Sequence, residues 1–205
     1  MIHLLFVLGA LLLSMFSGLI VAGELTVNVL DASGVPVENA VVYAEPEHKI
    51  TMPSAPAIIE QRGKQFNPLV SVVQVGTDVT FPNFDRVRHH VYSFSPAKTF
   101  ELKLYSGVPT SPVQFDKPGT VILGCNIHDN MVAFIHVVDT PHFAKTNKLG
   151  KATIYDLPKG SYKLKSWHYA LANEKEIVEA PVMVKGTELA NVKLTLKPFA
   201  IPARN

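Results

Sequence analysis

Apolar and polar residues alternate over short segments through most of the chain beyond residue 23, and Gly, Pro, Asn and Asp residues separate these segments. A period of two residues is typical of β-strands, whereas an amphipathic helix has a period near 3.6. Towards the two ends of the chain the segments lie at 24–30, 40–44, 150–155, 161–167, 178–184 and 192–196. The alternation predicts an all-β protein.

A second group of alternating segments lies between the first two and the last four. Its members are 68–75, 79–81, 89–94, 100–104, 121–125 and 132–138. Many short strands separated by Gly and Pro turns are typical of a β-sandwich. We expect the middle segments to form a β-sandwich of their own. The segments at the two ends of the chain then either form a second sandwich or are two unrelated hairpin extensions around one central domain.

The first 23 residues differ from the rest, because Leu4 to Leu13 is an apolar run and Glu24 is the first charged residue. Small residues follow the run up to Ala22 and Gly23, which is typical of a secretory signal peptide over residues 1–23. The residues before the run lack Lys and Arg, so an uncleaved membrane anchor is the alternative. Either interpretation predicts export, with a periplasmic location.

Charge and cysteine content exclude several classes of function. The chain has 19 Lys and Arg against 17 Asp and Glu, a near-balance that argues against nucleic-acid binding. A single cysteine excludes an internal disulfide and a multi-cysteine zinc or iron–sulfur site. No catalytic carboxylate pair, Ser/His/Asp set or Gly-rich phosphate loop stands in a convincing context, so we expect no enzyme activity.

The segment 124–131 carries the candidate chemistry, because Cys125, His128 and Met131 lie in one loop between two predicted strands. A further imidazole is available upstream from His89 or His90. Two imidazoles and a thiolate, with a weak axial thioether, form the ligand set of a blue-copper electron-transfer site. Met131 either supplies this axial thioether or packs on the site without binding.

Residues 60–139 resemble the cupredoxins of the plastocyanin–amicyanin type, whose last loop reads Cys-x-x-His followed shortly by Met. The short spacing of His128 and Met131 is similar to the amicyanin loop. The segments Gly76-Thr-Asp-Val-Thr-Phe-Pro-Asn83 and Lys117-Pro-Gly119 also resemble cupredoxin motifs. The resemblance implies a Greek-key β-sandwich with one type 1 copper.

The same resemblance implies which histidine is the upstream ligand. Aligned with the family's His-Asn-Val, His89 takes the ligand position and His90 the position of the Asn. The implied metal ligands are therefore His89, Cys125, His128 and Met131. His90 then points to the other face of the strand or acts as an altered hydrogen-bond donor to the site.

Residues 24–45 and 141–198 resemble the carboxypeptidase regulatory-like, or transthyretin-type, β-sandwich. The motifs are Asp-x-x-Gly-x-Pro at 31–36 before an Ala-Val strand, and Leu-Pro-x-Gly-x-Tyr at 157–162. The resemblance implies that the cupredoxin domain is inserted into a loop of this sandwich. The whole chain resembles a bacterial periplasmic group known as methylamine utilization proteins.

These resemblances imply a protein that carries single electrons between periplasmic partners, such as a dehydrogenase, a c-type cytochrome or a reductase. They imply electron exit through His128, with Met131 and Val132 in an apolar docking patch. The alternatives are a periplasmic copper carrier or storage protein, and a non-redox structural or glycan-binding β-sandwich. A membrane is involved only if the N-terminal segment is uncleaved.

Overall fold

The computed structural model describes residues 22–48, 50, 52–173 and 177–199, and every regular element within these ranges is a β-strand. The predicted signal segment 1–23 lies almost wholly outside the described residues. Within the described ranges there is no helix long and apolar enough to span a membrane. The strands are β1 Gly23–Asp31, β2 Val41–Pro46, β3 Ala57–Ile58, β4 Glu60–Gln61, β5 Phe66–Asn67, β6 Val70–Gln74, β7 Thr77–Thr80, β8 His89–Ser95, β9 Lys98–Tyr105, β10 Val113–Phe115, β11 Gly119–Gly124, β12 Val132–Val138, β13 Phe143–Lys145, β14 Lys151–Leu157, β15 Gly160–Trp167, β16 Val178–Val184 and β17 Thr187–Leu194.

Strands from the two ends of the chain form two sheets, which we call the outer sandwich. One sheet has the order β14-β1-β17, and β1 runs parallel to β17 and antiparallel to β14. The other has the order β13-β2-β15-β16. Alternate residues Leu25, Val27 and Val29 of β1 are fully buried, as the period of two requires. The two sheets share one apolar core.

The strands between β2 and β13 form a second unit, which we call the inner sandwich. Its large sheet has the order β6-β12-β11-β8-β9, and a small sheet has the order β10-β7-β3. A hairpin of β4 and β5 completes it. Val79 and Phe115 of the small sheet share a core with Val91 and Leu123 of the large one. That core also contains Cys125.

Strand β12 joins the two sandwiches because both of its faces are buried. Ala133 and Ile135 point into the inner core, whereas Phe134 and Val138 belong to the outer core. Between the last two, His136 stacks on Trp167 of β15, with ring centroids 4.5 Å apart. Burial on both faces explains why every residue of this strand except His136 is apolar.

The predicted all-β class is confirmed over the described residues, and most strands lie where the alternation placed them. The pattern missed the three-residue strands β10 and β13 and the two-residue strands β3, β4 and β5. It also placed the last strand too late, since β17 runs from Thr187 to Leu194 rather than over 192–196. The missed strands are too short to show a period.

Candidate metal centre

Cys125 and His128 are held by a hairpin. Strands β11 and β12 pair antiparallel up to Gly124 and Val132, so the intervening loop 125–131 is fixed at both ends by the ladder. Within it, the Met131 N–H donates to the His128 carbonyl at 2.9 Å, which closes a turn. The loop therefore presents its side chains from a rigid base.

His89 reaches the same end of the sandwich from β8. This strand neighbours β11, with Tyr92 paired to Gly124, the residue before Cys125. His89 itself pairs with Tyr105 of β9, and the register shifts between His89 and Val91. The pairing brings the start of β8 beside the ligand loop.

The structure brings together three of the four predicted ligands. Nitrogen atoms of His89 and His128 and the sulfur of Cys125 all lie within 4.8 Å of one another. The two imidazole centroids are 5.0 Å apart and the rings are nearly perpendicular. His89 is fully buried and Cys125 is 4% exposed, while His128 is partly buried. This spacing suits three donors around one ion, whose bonds are each about 2.0–2.3 Å long.

The free nitrogen atoms show that the cluster fits a soft metal ion. The Nδ1 atoms of His89 and His128 are both buried and have no hydrogen-bond partner. An unpaired polar atom in a protein interior costs about 1–3 kcal/mol, so two of them beside one thiol need an explanation. A cation bound between the two nitrogens and the Cys125 sulfur satisfies all three. Two imidazoles and a thiolate suit copper.

Met131 lies beside this cluster. It is 2% exposed and belongs to the same inner core as Cys125. Both residues also line one cavity of about 480 Å³. Its burial excludes it from the apolar docking patch in which the sequence placed it. The exposed apolar residues near the ligands are Ile127, in the ligand loop, and Phe84 and Val87, in the segment before His89.

His90 occupies a different environment from His89. Its Nε2 lies 2.9 Å from a carboxylate oxygen of Glu101 on β9, and its ring contacts Tyr92, with centroids 5.4 Å apart. It does not belong to the cluster of donor atoms around Cys125. His90 thus lies outside the donor cluster, with Glu101 and Tyr92 as its neighbours.

The electrostatics favour a neutral imidazole at His128. Burial lowers the pKa of His128, and the neighbouring His89 and Lys64 lower it further. A neutral imidazole has the lone pair that a metal needs. Burial also raises the pKa of Tyr105 to about 12. The hydrogen bond from Gln61 lowers this pKa, and the negative charge of an ionised Cys125 raises it.

Asp85 is a polar contact of the cluster that the sequence interpretation missed. Its Oδ2 lies 2.8 Å from Nε2 of His89. Partial burial raises the pKa of Asp85, but hydrogen bonds from Lys64, His89 and Gly63 outweigh this and hold the pKa below its ordinary value. The available signal was a carboxylate four residues before the ligand histidine, which is common in sequences and therefore weak.

Comparisons with known proteins found similarity among solved structures only. No protein-family model matches the sequence, and no curated protein matches it. Three of the similar structures are copper proteins or cupredoxins by name. The Cu-containing nitrite reductase (NirK) from Thermus scotoductus SA-01 is 25% identical over 55% of this chain and 28% of its own, with a TM-score of 0.39.

The other two are smaller proteins. A purple cupredoxin from Nitrosopumilus maritimus is 24% identical over 40% of this chain and 99% of its own, with a TM-score of 0.33. The pseudoazurin from Hyphomicrobium denitrificans is 25% identical over 40% of this chain and 75% of its own, with a TM-score of 0.36. By contrast, the match to the nitrite reductase spans less than a third of that enzyme. Because all three TM-scores are below 0.5, these similarities carry no argument about the chemistry of the site. That chemistry is argued from the donor geometry alone.

Proposed function

We propose that this protein binds one copper ion as a type 1 site and carries single electrons between redox partners in the periplasm. The ligands are His89, Cys125 and His128, with Met131 as a weak fourth ligand. The observation that carries the proposal is the pair of buried, unpaired Nδ1 atoms beside the only thiol of the chain. Copper in such a site supplies a reversible one-electron couple.

The protein's contribution is to hold these donors in one arrangement. His89 and Cys125 are attached to neighbouring strands, and the Met131–His128 hydrogen bond restrains the loop. Soft thiolate and thioether donors favour the reduced ion, whereas imidazoles accept both oxidation states. Because the ligands cannot move far, little rearrangement accompanies electron uptake or loss.

Partners are proposed to dock where the loop meets solvent. His128 is the partly exposed ligand, and exposed Ile127, Phe84 and Val87 lie in the two segments that carry ligands. An apolar surface flanked by the exposed Arg86 and Arg88 suits brief contacts with a dehydrogenase, a c-type cytochrome or a reductase. Electrons would leave through His128, and the protein would have no catalytic step of its own.

The domain organisation belongs to the same proposal. We take residues 60–139 as a cupredoxin domain inserted into a carboxypeptidase regulatory-like sandwich of residues 24–45 and 141–198. Support comes from the sharing of the outer sheets between strands before and after the insert. A signal peptide at 1–23 and membership of the methylamine utilization group are further parts of the proposal.

Electron exchange and copper release distinguish an electron carrier from a copper carrier. Copper-loaded protein is mixed with a reduced c-type cytochrome and, separately, with a copper chelator in excess. An electron carrier oxidises the cytochrome much faster than it loses copper to the chelator. Faster loss of copper than electron exchange would favour a carrier or storage protein. Failure to bind copper would favour a structural or glycan-binding sandwich.

The ligand histidine is tested by two adjacent substitutions. His89→Ala removes a donor from the cluster, so the visible absorption of the Cu(II) protein should be lost. His90→Ala removes the Glu101 contact on the other face of β8 and should leave the absorption in place. Loss of colour in the His90 variant, with retention in the His89 variant, would overturn the assignment.

A further inference from the structure

We propose that Asp85 is a positioning residue that fixes the tautomer of His89 and, through its charge, sets the relative affinity of the site for oxidised and reduced copper. This inference rests on the proposed copper site and concerns how that site is regulated. It assigns a role to a carboxylate that binds no metal itself.

The first support is the contact between the two side chains. Asp85 Oδ2 and His89 Nε2 are 2.8 Å apart, and the side chains are 15% and 0% exposed respectively. A neutral imidazole carries one N–H, and a carboxylate can only accept. His89 therefore donates from Nε2, which leaves the lone pair on Nδ1, the buried atom without a partner.

The second support is the anchoring of the carboxylate. The turn between β4 and β5 has both central residues, Gly63 and Lys64, at positive φ, as in a type I′ turn. The Gly63 N–H donates to Asp85 Oδ1 at 2.7 Å and the Lys64 N–H to Oδ2 at 2.8 Å. Two backbone donors fix the carboxylate, so it can fix the ring in turn.

The segment that carries Asp85 is restrained as well. The Asp85 N–H donates to Asn83 Oδ1 at 2.9 Å. The amide of Asn83 in turn donates to the carbonyls of Val87 and Tyr105, at 2.9 and 3.0 Å. Tyr105 is the residue opposite His89 in the sheet. The hairpin turn, Asp85 and His89 are thus one connected hydrogen-bond network ending at the metal donor.

The charge of Asp85 has a predictable sign. A carboxylate hydrogen-bonded to a ligand histidine makes the ligand more basic and stabilises the more highly charged ion. Cu(II) carries one more positive charge than Cu(I), so the ionised Asp85 favours Cu(II). Lys64 acts in the opposite direction, since its positive charge lowers the pKa of His128 and disfavours the more highly charged ion. Asp85 acts through its direct contact with the ligand His89.

Two substitutions separate the effect of charge from that of position. Asp85→Asn removes the charge and keeps one oxygen that can accept from His89 and from the Lys64 N–H, while the acceptor of the Gly63 N–H is lost. We expect its affinity for Cu(I) relative to Cu(II) to rise by roughly tenfold or more, measured by competition with Cu(I) and Cu(II) chelators. Asp85→Ala removes the acceptor too, so affinity for both ions should fall. Asp116→Asn is the control, since it removes an exposed carboxylate before β11, at the far end from Cys125.

A metal-free readout checks the tautomer. In the wild-type protein without copper, nitrogen NMR should show His89 protonated at Nε2, whereas Asp85→Ala should show a mixture of tautomers. An unchanged affinity ratio in Asp85→Asn, or a wild-type tautomer in Asp85→Ala, would overturn the inference. Failure of wild-type protein to bind copper would instead overturn the proposed function.

Discussion

Cys125 is the only thiol of the chain, and the fold places it within the inner core, 4% exposed, next to two imidazoles. An unpaired thiol in an oxidising compartment is subject to oxidation unless it is shielded or bound. Burial provides the shielding. The neighbouring donors provide a reason for the thiol to be present at all.

The role of Met131 can be tested at the level of one residue. Met131→Leu keeps a similar apolar volume, so the fold should persist with a loss of less than about 1.5 kcal/mol. If the thioether is a weak ligand, the variant keeps its visible absorption but binds Cu(I) less tightly. Chelator competition measures this. Equal affinities in variant and wild type would show that Met131 only packs against the site.

At the residue scale, the sequence indicates candidate ligands most clearly where they are close together along the chain, and the ligand set itself stays a prediction. Cys125, His128 and Met131 lie within one short loop, so their spacing alone indicated a metal site. His89 needed a family register to separate it from His90. Asp85 was missed because its role depends on a turn at Gly63 and Lys64, and the pattern of apolar residues does not encode that contact.

At the scale of elements, the outer sandwich is held by a buried polar contact as well as by its core. Thr146, between β13 and β14, is 2% exposed. Its Oγ1 accepts from the Ala40 N–H at 2.8 Å and donates to the Val37 carbonyl at 2.7 Å. One side chain thus connects the β1–β2 loop to the strands that follow the inner sandwich.

Replacement of Thr146 tests this connection. Thr146→Val keeps the shape and leaves two buried backbone groups without these partners, so the free energy of unfolding should fall by about 2–4 kcal/mol. Urea unfolding measures the change. Thr187→Val, at an exposed position in β17, is the control and should change stability by less than about 0.5 kcal/mol. Equal effects of the two substitutions would contradict the assigned role.

The sequence predicted those strands that are long enough to show a pattern of apolar and polar residues. Long alternating strands such as β1 and β15 were predicted because one face of each is more deeply buried than the other. Strand β12 was predicted as one of the alternating segments, although the structure buries both of its faces. The strands β3 to β5 could not be predicted, since they are defined by pairing with distant segments and not by a pattern of their own.

At the scale of the whole molecule, the two sandwiches share β12 and the aromatic contact between His136 and Trp167. Burial lowers the pKa of His136 to about 3. His136 is therefore neutral in the folded protein at pH 5, whereas in the unfolded chain it titrates near pH 6.5. Below that pH the unfolded chain binds a proton that the folded protein excludes, so acid favours unfolding.

The predicted consequence is a loss of stability on acidification. Between pH 6.5 and pH 5, His136 should lower the free energy of unfolding by about 1.5 kcal/mol. In His136→Phe, which keeps an aromatic ring against Trp167, the loss over this interval should be smaller by that amount. Urea unfolding of copper-free protein at several pH values provides the measurement. His48→Gln, an exposed control, should keep the wild-type slope.

An identical pH slope in wild type and in His136→Phe would contradict burial of a neutral His136 between the sandwiches. The single tryptophan of the chain, Trp167, reports directly on this interface. Because β12 belongs to both cores, the fluorescence of Trp167 should change in the same transition that disrupts the ligand cluster. Two separate transitions would indicate that the sandwiches unfold independently.

The central claim is a copper–thiolate bond at Cys125, and the visible spectrum on titration with Cu(II) tests it most directly. The account predicts that one equivalent of Cu(II) produces an intense charge-transfer band, that ascorbate bleaches it, and that Cys125→Ser never develops it. A wild-type protein that stays colourless with Cu(II), or a Cys125→Ser variant with the same band, would contradict the account.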